Sequence, residues 1–206
     1  MAEPARAIEP TLRRRFALDE GPRSRQGVSI AILPPAARFS LRLPIGAGAA
    51  AREIAGFRLG APINRYEAAG DRWSARLGPN EWLIGGPESD GELIATEVEA
   101  ALGGESHALT DVSHRNVGIE ISGVAAAAVL NAGCPLDLST KAFPGGSATR
   151  TVLAKAEIVL VRAETEPVFR VECWRSFAPY VHAFLIEGSR DFPALARDDR
   201  ASKIDA

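Results

Sequence analysis

The sequence predicts an α+β fold of two strand-helix repeats, whose mixed or antiparallel sheets carry helices packed on them. Short stretches alternate apolar and polar residues, which is the pattern of half-buried strands. Ala-rich stretches between them place apolar residues three and four positions apart, as helices do. The order strand, helix, strands, helix occurs twice, at about residues 39–103 and 117–188, and we interpret this as a weak internal repeat. Because each repeat would leave one sheet face uncovered, we expect the two to pack as one domain.

The first repeat begins with a predicted strand at residues 39–43, followed by a predicted helix at 49–56 and a strand pair around 73–82. Its second helix is predicted over residues 88–102 from the helical spacing of the apolar side chains. The Gly103-Gly104 pair should end this helix, because glycine readily adopts the backbone conformation that follows a last helical turn.

The second repeat contains four predicted strands and two predicted helices. The strands are expected at residues 117–122, 149–153, 158–162 and 169–174. The second and third of these form a hairpin around a connection at 154–157. One helix is expected over 124–132, and another from Ser176, acting as its N-terminal cap, to Gly188.

The regions outside the repeats set the predicted domain boundaries. Residues 1–27 combine Arg, Glu, Pro and Gly without an apolar period, so we expect an extended or disordered N-terminal arm. The folded domain is expected over 28–190, and residues 191–206 are expected to be a C-terminal tail. The first 25 residues hold six Arg and four acidic residues but no apolar core of a secretory signal, so a cytoplasmic protein is expected.

Composition excludes several functional classes. A formal net charge of −2 and an aromatic content of 6% argue against a nucleic-acid partner. Apolar runs are too short for a membrane-spanning helix, so no membrane partner is expected.

Cys134 and Cys173 have no metal-ligand spacing, and we expect both to be reduced and neither to be catalytic. No nucleotide-binding, metalloprotease or serine-hydrolase motif is present, and no catalytic or metal-ligating residue is predicted.

Asp111, Ser113 and His114 lie together between two predicted strands and allow two interpretations. They could form an acid-base group at a strand end. Alternatively, Asp111 and Ser113 could satisfy turn amides through short side-chain hydrogen bonds. The second interpretation is favoured, because adjacent residues of an extended segment point in opposite directions.

Four segments resemble a known family, the gamma subunit of heterotetrameric sarcosine oxidase. They are LTDVSHRNVGIEISG at 109–123, VLNAGCPLDLS at 129–139, TRTVLAKAEIVL at 149–160 and WRSFAPYV at 174–181. The resemblance covers roughly residues 28–190, and the CPLDL and WRSFAPY segments are specific to that family.

This resemblance implies a non-catalytic assembly subunit. The complex would oxidatively demethylate sarcosine to glycine, with formaldehyde or methylene-tetrahydrofolate and hydrogen peroxide as products. It implies alpha, beta and delta subunits as partners, and FAD, FMN, NAD, zinc and tetrahydrofolate on those subunits, with no cofactor on this chain. The residues expected at subunit interfaces are Arg13, Arg14, Arg15, Phe16, Trp174 and Arg175.

The DVSH segment, followed by a strand, Gly123 and a helix, also resembles the folate-binding domain of the glycine cleavage T-protein (an aminomethyltransferase). That resemblance implies the same fold and an alternative function, a free-standing folate-binding one-carbon transferase-like protein. Its folate candidates here are Asp111, His114 and Glu157. The T-protein pattern has an Asp-Asp pair after a Gly-Gly turn. This chain instead has Ala156-Glu157 on a shortened connection, which favours an architecture kept without its chemistry.

Overall fold

A computed structural model of the chain describes residues 17–18, 20–45, 53–164 and 167–193. Within these ranges the strands are β1 (Arg23–Arg25), β2 (Val28–Ile32), β3 (Ala36–Arg42), β4 (Glu53–Ile54), β5 (Phe57–Arg58), β6 (Arg65–Ala69), β7 (Arg72–Gly78), β8 (Glu81–Pro87), β9 (Ala108–Asp111), β10 (Asn116–Ser122), β11 (Ala148–Leu153), β12 (Ala156–Arg162) and β13 (Val168–Trp174). The helices are α1 (Gly91–Leu102), α2 (Ala126–Asn131) and α3 (Ala178–Gly188). Single 3₁₀ turns lie at Glu88–Asp90 and Ser189–Asp191.

Two antiparallel sheets form the body of the protein. One has six strands in the order β1-β2-β10-β13-β12-β11, and the other has five in the order β6-β7-β8-β3-β9. Strands β4 and β5 pair separately. The predicted α+β class with antiparallel sheets is therefore confirmed. The helix predicted at 49–56 is wrong for its described part, since Glu53–Ile54 form β4, and residues 49–52 lie outside the described residues.

Each sheet is built mainly from one of the two predicted repeats. The first repeat supplies β3 and β6 to β8, whereas the second supplies β10 to β13. Strands from outside the repeats complete both sheets. Strands β1 and β2, which precede the first repeat, join the sheet of the second, and β9, which lies between the repeats, joins that of the first. These strands connect the two repeats into one folded unit.

The core has three clusters, which arrange the layers as helix, sheet, sheet and helix. Helix α1 covers the five-stranded sheet with Ile94, Val98 and Leu102. Helices α2 and α3 cover the six-stranded sheet in a second cluster. The third cluster joins the facing sheets through Trp73, Ala75, Leu83, Val112, Ala148, Val159 and Val161.

Strand β12 is apolar on both faces because it lies between two packed layers. Ile158 and Leu160 pack in the cluster beneath the helices, whereas Val159 and Val161 pack between the sheets. Successive side chains of a strand point to opposite faces, so a strand between two layers needs an unbroken apolar run.

Several predicted boundaries change. Arg23–Arg25, inside the predicted arm, form β1 against β2, so the folded body begins before Val28. Residues 88–90 form a 3₁₀ turn rather than the first turn of α1, which ends before Gly103 as predicted. Helix α2 is shorter than the predicted 124–132.

Two local predictions are wrong. Ser176 does not cap α3, because the helix begins at Ala178 and the capping residue, Phe177, makes no side-chain cap hydrogen bond. The 154–157 connection is really a two-residue turn at Ala154 and Lys155, with Ala154 in the left-handed region at φ 51°. Glu157 consequently belongs to strand β12 and lies opposite Val152.

Candidate functional site

The inner faces of the two sheets diverge at one end and leave a polar cleft. Its volume is about 230 Å³. Charged side chains from both sheets line it together with two tryptophans; they are Arg42, Glu81, Arg115, Arg150, Glu157, Glu172, Trp82 and Trp174.

Strand periodicity places these side chains in the cleft. On β3, Phe39 and Leu41 pack beneath α1, so Arg42 points to the opposite, inner face. On β13, Phe169, Val171 and Cys173 pack beneath α2 and α3, which directs Glu172 and Trp174 inward. The same alternation turns Glu157 of β12 toward the cleft, because Ile158 faces the helices.

Glu81 is the centre of an ion-pair network across the cleft. Arg150 donates to Glu81 Oε1 through Nη2 at 2.7 Å, and Arg42 Nη2 lies 3.1 Å from Glu81 Oε2. Glu157 Oε1 lies 3.6 Å from Arg150 Nε. The hydrogen bond from Arg150 holds the pKa of Glu81 below its usual value, against the opposing effect of burial. Glu81 is therefore an ionised, paired carboxylate at neutral pH rather than a proton donor.

A second ion network lies at the inner end of the cleft and joins the sheets. Arg38 of β3 donates from Nε and Nη2 to the two oxygens of Glu172, at 2.8 and 3.1 Å. Arg170 Nε donates to Glu172 Oε1 at 2.6 Å and its guanidinium lies 4.3 Å from the centroid of a Trp73 ring. Burial alone would raise the pKa of Glu172, but Arg170 and Arg38 reverse this and lower it.

The mouth of the cleft is aromatic and basic. Trp174 is 45% exposed, and the Arg115 guanidinium lies 5.8 Å from the centroid of its ring. Arg115 Nε donates to Asn116 Oδ1 at 3.2 Å. The ring of Phe177 lies 6.3 Å from that of Trp174, centroid to centroid.

The structure does not bring together the three predicted folate residues. Glu157 lines the cleft, whereas His114 is exposed and borders a separate cavity of about 40 Å³. Asp111 Oδ1 accepts a hydrogen bond from the Ser113 amide at 2.8 Å, and the Ser113 hydroxyl accepts one from the Arg38 amide at 2.9 Å. Asp111 therefore makes the short turn contact of the favoured interpretation, whereas the Ser113 hydroxyl binds the main chain of the distant strand β3.

The predicted interface residues have different outcomes. Arg13, Arg14, Arg15 and Phe16 lie outside the described residues. Trp174 stands at the mouth of the cleft, and Arg175 borders the smaller cavity. The Arg175 amide donates to the Arg115 carbonyl at 2.6 Å, which fixes the backbone beside the mouth.

Sequence reasoning missed the ion networks formed by Arg38, Glu81, Arg150 and Glu172. One available signal was a charged residue in the middle of an apolar strand, as with Glu172 in VFRVECW. A polar strand face is usually assigned to solvent. Here a second sheet covers that face, and only the tertiary arrangement reveals it.

The described metal-ligating and thiol side chains form no second assembled site. Among the described residues no three His, Cys, Asp or Glu side chains form a group that could hold a metal ion. Cys134 and Cys173 are free and buried, and burial raises the pKa of the Cys173 thiol to about 12. None of the described helices is long and apolar enough to cross a membrane.

Curated relatives share substantial identity with this chain. The subunit gamma of sarcosine oxidase from Arthrobacter sp. is 43% identical over 86 residues, covering 42% of this chain and 41% of the relative. The same subunit from Corynebacterium sp. (strain P-1) is 36% identical over 116 residues, or 56% of each chain. The one from Corynebacterium sp. (strain U-96) is 31% identical over 160 residues, which cover 76% of this chain and 77% of the relative. The first two matches thus span about half of the relatives' length.

Two solved structures share the fold. A chain of heterotetrameric sarcosine oxidase from Corynebacterium sp. U-96, in complex with pyrrole 2-carboxylate, superposes with a TM-score of 0.69 at 28% identity, covering 84% of this chain and 89% of that one. Glycine cleavage system aminomethyltransferase T from Bartonella henselae superposes with a TM-score of 0.63 at 13% identity, covering 80% of this chain and 46% of that one. The second similarity shows the fold alone.

The family described as "Sarcosine oxidase, gamma subunit family" matches residues 45–191, which is more than half of the chain. That match includes β4 to β13, the three described helices and the whole lining of the cleft apart from Ser40 and Arg42. The chain therefore belongs to the sarcosine oxidase gamma subunit family.

Proposed function

We propose that this chain is the non-catalytic assembly subunit of a heterotetrameric sarcosine oxidase. The observation that carries the proposal is the superposition on a chain of that enzyme from Corynebacterium sp. U-96, which covers 84% of this chain and 89% of the other. Extensive coverage of both chains supports a common role rather than one shared motif.

The chemistry of the cleft supports a non-catalytic role. A general acid or base needs a pKa near the working pH and a proton that it can transfer. Glu81 is held ionised by Arg150, and Glu157 lies beside the same guanidinium. The cleft, at about 230 Å³, is also smaller than the roughly 300 to 1,000 Å³ of pockets that enclose drug-sized ligands. These properties favour a structural ion network over a folate site.

The proposed complex contains alpha, beta and delta subunits beside this chain. It would oxidise sarcosine to glycine and release hydrogen peroxide, with formaldehyde or methylene-tetrahydrofolate as the one-carbon product. FAD, FMN, NAD, zinc and tetrahydrofolate would bind to the other subunits. Trp174 and Arg175, with Arg13, Arg14, Arg15 and Phe16 outside the described residues, are the proposed contacts with them.

Co-expression with the three partner subunits tests this function. A tag on this chain should recover all four subunits in equal amounts, and the purified complex should consume oxygen when sarcosine is added. The isolated chain should consume none. Recovery of the tagged chain without partners would contradict the assembly role, and sarcosine oxidation by the isolated chain would contradict its non-catalytic character.

A further inference from the structure

We propose that the mouth of the cleft docks a segment of a partner subunit in which a carboxylate side chain stands beside apolar side chains. The inference rests on the assembly function proposed above and names the surface and partner chemistry. Its surface consists of Arg115 and an aromatic rim, which we define as Trp174, Phe177 and Tyr180.

The aromatic rim is unusually exposed for such large side chains. Trp174 is 45% exposed, and Phe177 and Tyr180 are each 40% exposed. Trp174 and Phe177 are neighbours, with ring centroids 6.3 Å apart, and Tyr180 follows Phe177 by three residues at the start of α3. Exposed apolar side chains grouped in this way mark interaction sites, and Trp, Tyr and Arg are enriched among the residues that dominate binding energy.

Charge identifies the partner as acidic. Within the cleft, Arg42 and Arg150 face the carboxylates of Glu81 and Glu157. Glu172 is matched by both Arg38 and Arg170. Among the described residues Arg115 makes no direct ion pair with a carboxylate; its side chain donates to Asn116 and lies over Trp174. Glu81 attracts Arg115 only at longer range and is already paired with Arg42 and Arg150. Positive charge is therefore in excess at the mouth, and a guanidinium binds a carboxylate through two parallel hydrogen bonds.

The backbone holds this surface ready for a partner. Asn116, next to Arg115, pairs with Trp174 across β10 and β13. The Arg175 amide donates to the Arg115 carbonyl at 2.6 Å, and the Phe177 amide donates to the Trp174 carbonyl at 2.8 Å. Because the main chain is already fixed, docking would order few groups, which favours affinity.

The extent of the surface favours a protein segment over a small free carboxylate. A small molecule in the cleft could reach Arg115 and Trp174, which both line it. Phe177 and Tyr180 do not line the cleft and continue the surface onto α3. A chain segment can cover both parts at once, with its carboxylate at Arg115 and its apolar side chains on the rim.

The test measures affinity of the full-length chain for its co-purifying partner subunits. Arg115→Glu and Trp174→Ser should each weaken this affinity at least tenfold. The matched controls are Arg58→Glu, an exposed arginine on β5, and Leu93→Ser, a leucine on α1 that is 52% exposed. Both controls should stay within twofold of wild type. Arg115→Lys should recover part of the affinity, because it keeps the charge but loses the planar fork.

Thermal melting of each isolated variant verifies that the fold is intact. If wild type assembles and folded Arg115→Glu and Trp174→Ser assemble equally well, the docking inference is wrong while the assembly function stands. If wild type itself does not assemble, both fail. Sedimentation of the isolated full-length chain should show a monomer. A dimer that Trp174→Ser dissociates would mean that a second copy occupies the surface, and would also overturn the inference.

Discussion

Glu172 forms a buried ion-pair contact between the two sheets. It is 2% exposed, and its carboxylate is shared by Arg38 from the other sheet and by Arg170 from its own strand. Removing one member of a buried ion pair lowers the free energy of unfolding by more than the intact pair contributes to it. The reason is that the remaining charge stays in a poorly solvated environment.

Glu172→Gln should therefore be strongly destabilising. Arg38, which is 1% exposed, would lose its carboxylate partner, so we expect the free energy of unfolding to fall by about 3 to 5 kcal/mol. Urea titration at neutral pH measures this change. Glu53→Gln, at an exposed position of β4, is the control and should stay within about 0.5 kcal/mol of wild type. A similar small change for Glu172→Gln would show that the network contributes little.

Glu172 should also make stability depend on acid pH. Its pKa is lowered in the folded protein, so its contribution is complete above the unfolded value of about 4.3 and is lost as pH falls through the folded pKa. Wild type should accordingly lose more unfolding free energy than Glu172→Gln between pH 6 and pH 3. Glu81, whose pKa is also lowered, is common to both proteins and cancels in the difference. If the unfolding free energies of wild type and Glu172→Gln fall in parallel with pH, this role of Glu172 is contradicted.

The two cysteines should be unreactive in the folded protein. Cys134 is 4% and Cys173 is 1% exposed, and burial raises the pKa of Cys173 to about 12, so its reactive thiolate is scarce at neutral pH. A thiol reagent added to the native chain should label neither within minutes, whereas addition in denaturant should label both. Rapid labelling of the native chain would mean that the core around β13 opens readily.

At the scale of elements, the end of β10 is fixed by Gly123. This glycine has φ 103°, and a Cβ atom there would collide with the carbonyl oxygen of Gly27, which itself accepts the Ala125 amide. Close approach of two backbones thus joins the turn before β2 to the segment that leads into α2.

Gly123→Ala should consequently lower the free energy of unfolding by more than the strain of a positive φ alone would. Gly70 is the matched control, since it has φ 60° and a Cβ atom added there would meet no other atom within 4 Å. Gly70→Ala should cost about 1 kcal/mol, and Gly123→Ala at least about 2 kcal/mol more, because overpacking is added. Denaturant unfolding of both variants provides the comparison. Equal losses would exclude the collision as the reason for glycine at position 123.

Element type was predictable where a strong period exists, as along β13 and α1. Helix starts were less predictable: α3 ends at Gly188 as predicted, but Ser176 makes no cap bond and the helix begins two residues later, at Ala178. Strand β1 was not predicted, because its sequence Arg-Ser-Arg has no apolar residue. Pairing with β2 stabilises it instead. The cleft was unpredictable for a related reason. Arg38, Glu81 and Glu172 become one site only when two sheets, distant in sequence, face each other.

At the scale of the whole molecule, strands from outside the repeats complete both sheets and make the two repeats interdependent. Strand β2 lies beside β10, and β9 lies beside β3, so neither sheet is complete from its own repeat. The chain end also takes part, because the Gln26 amide donates to the Pro193 carbonyl at 2.7 Å and Arg25 donates to the Phe192 carbonyl at 3.3 Å. Residues near both ends of the described chain are thus integral to the six-stranded sheet.

Two N-terminal truncations should separate folding from assembly. Deleting residues 2–25 removes β1, together with Leu18, which packs on the core, and should lower the melting temperature of the isolated chain by several degrees. Deleting only residues 2–15, which lie outside the described residues, should leave it nearly unchanged, because Ile8 and Leu12 are too few apolar anchors to add much core.

The shorter deletion should instead weaken assembly with the partner subunits. Arg13, Arg14 and Arg15 can pair with carboxylates of a partner, so the full-length chain should bind more tightly at low salt and lose that advantage as salt screens the charges. Co-purification across a salt series measures both effects. A lower melting temperature after deletion of 2–15 would place those residues in the folded body. If the full-length chain and the 2–15 deletion assemble equally well at every salt concentration, the interface lies on the folded body alone, with Arg115 and Trp174 among its contacts.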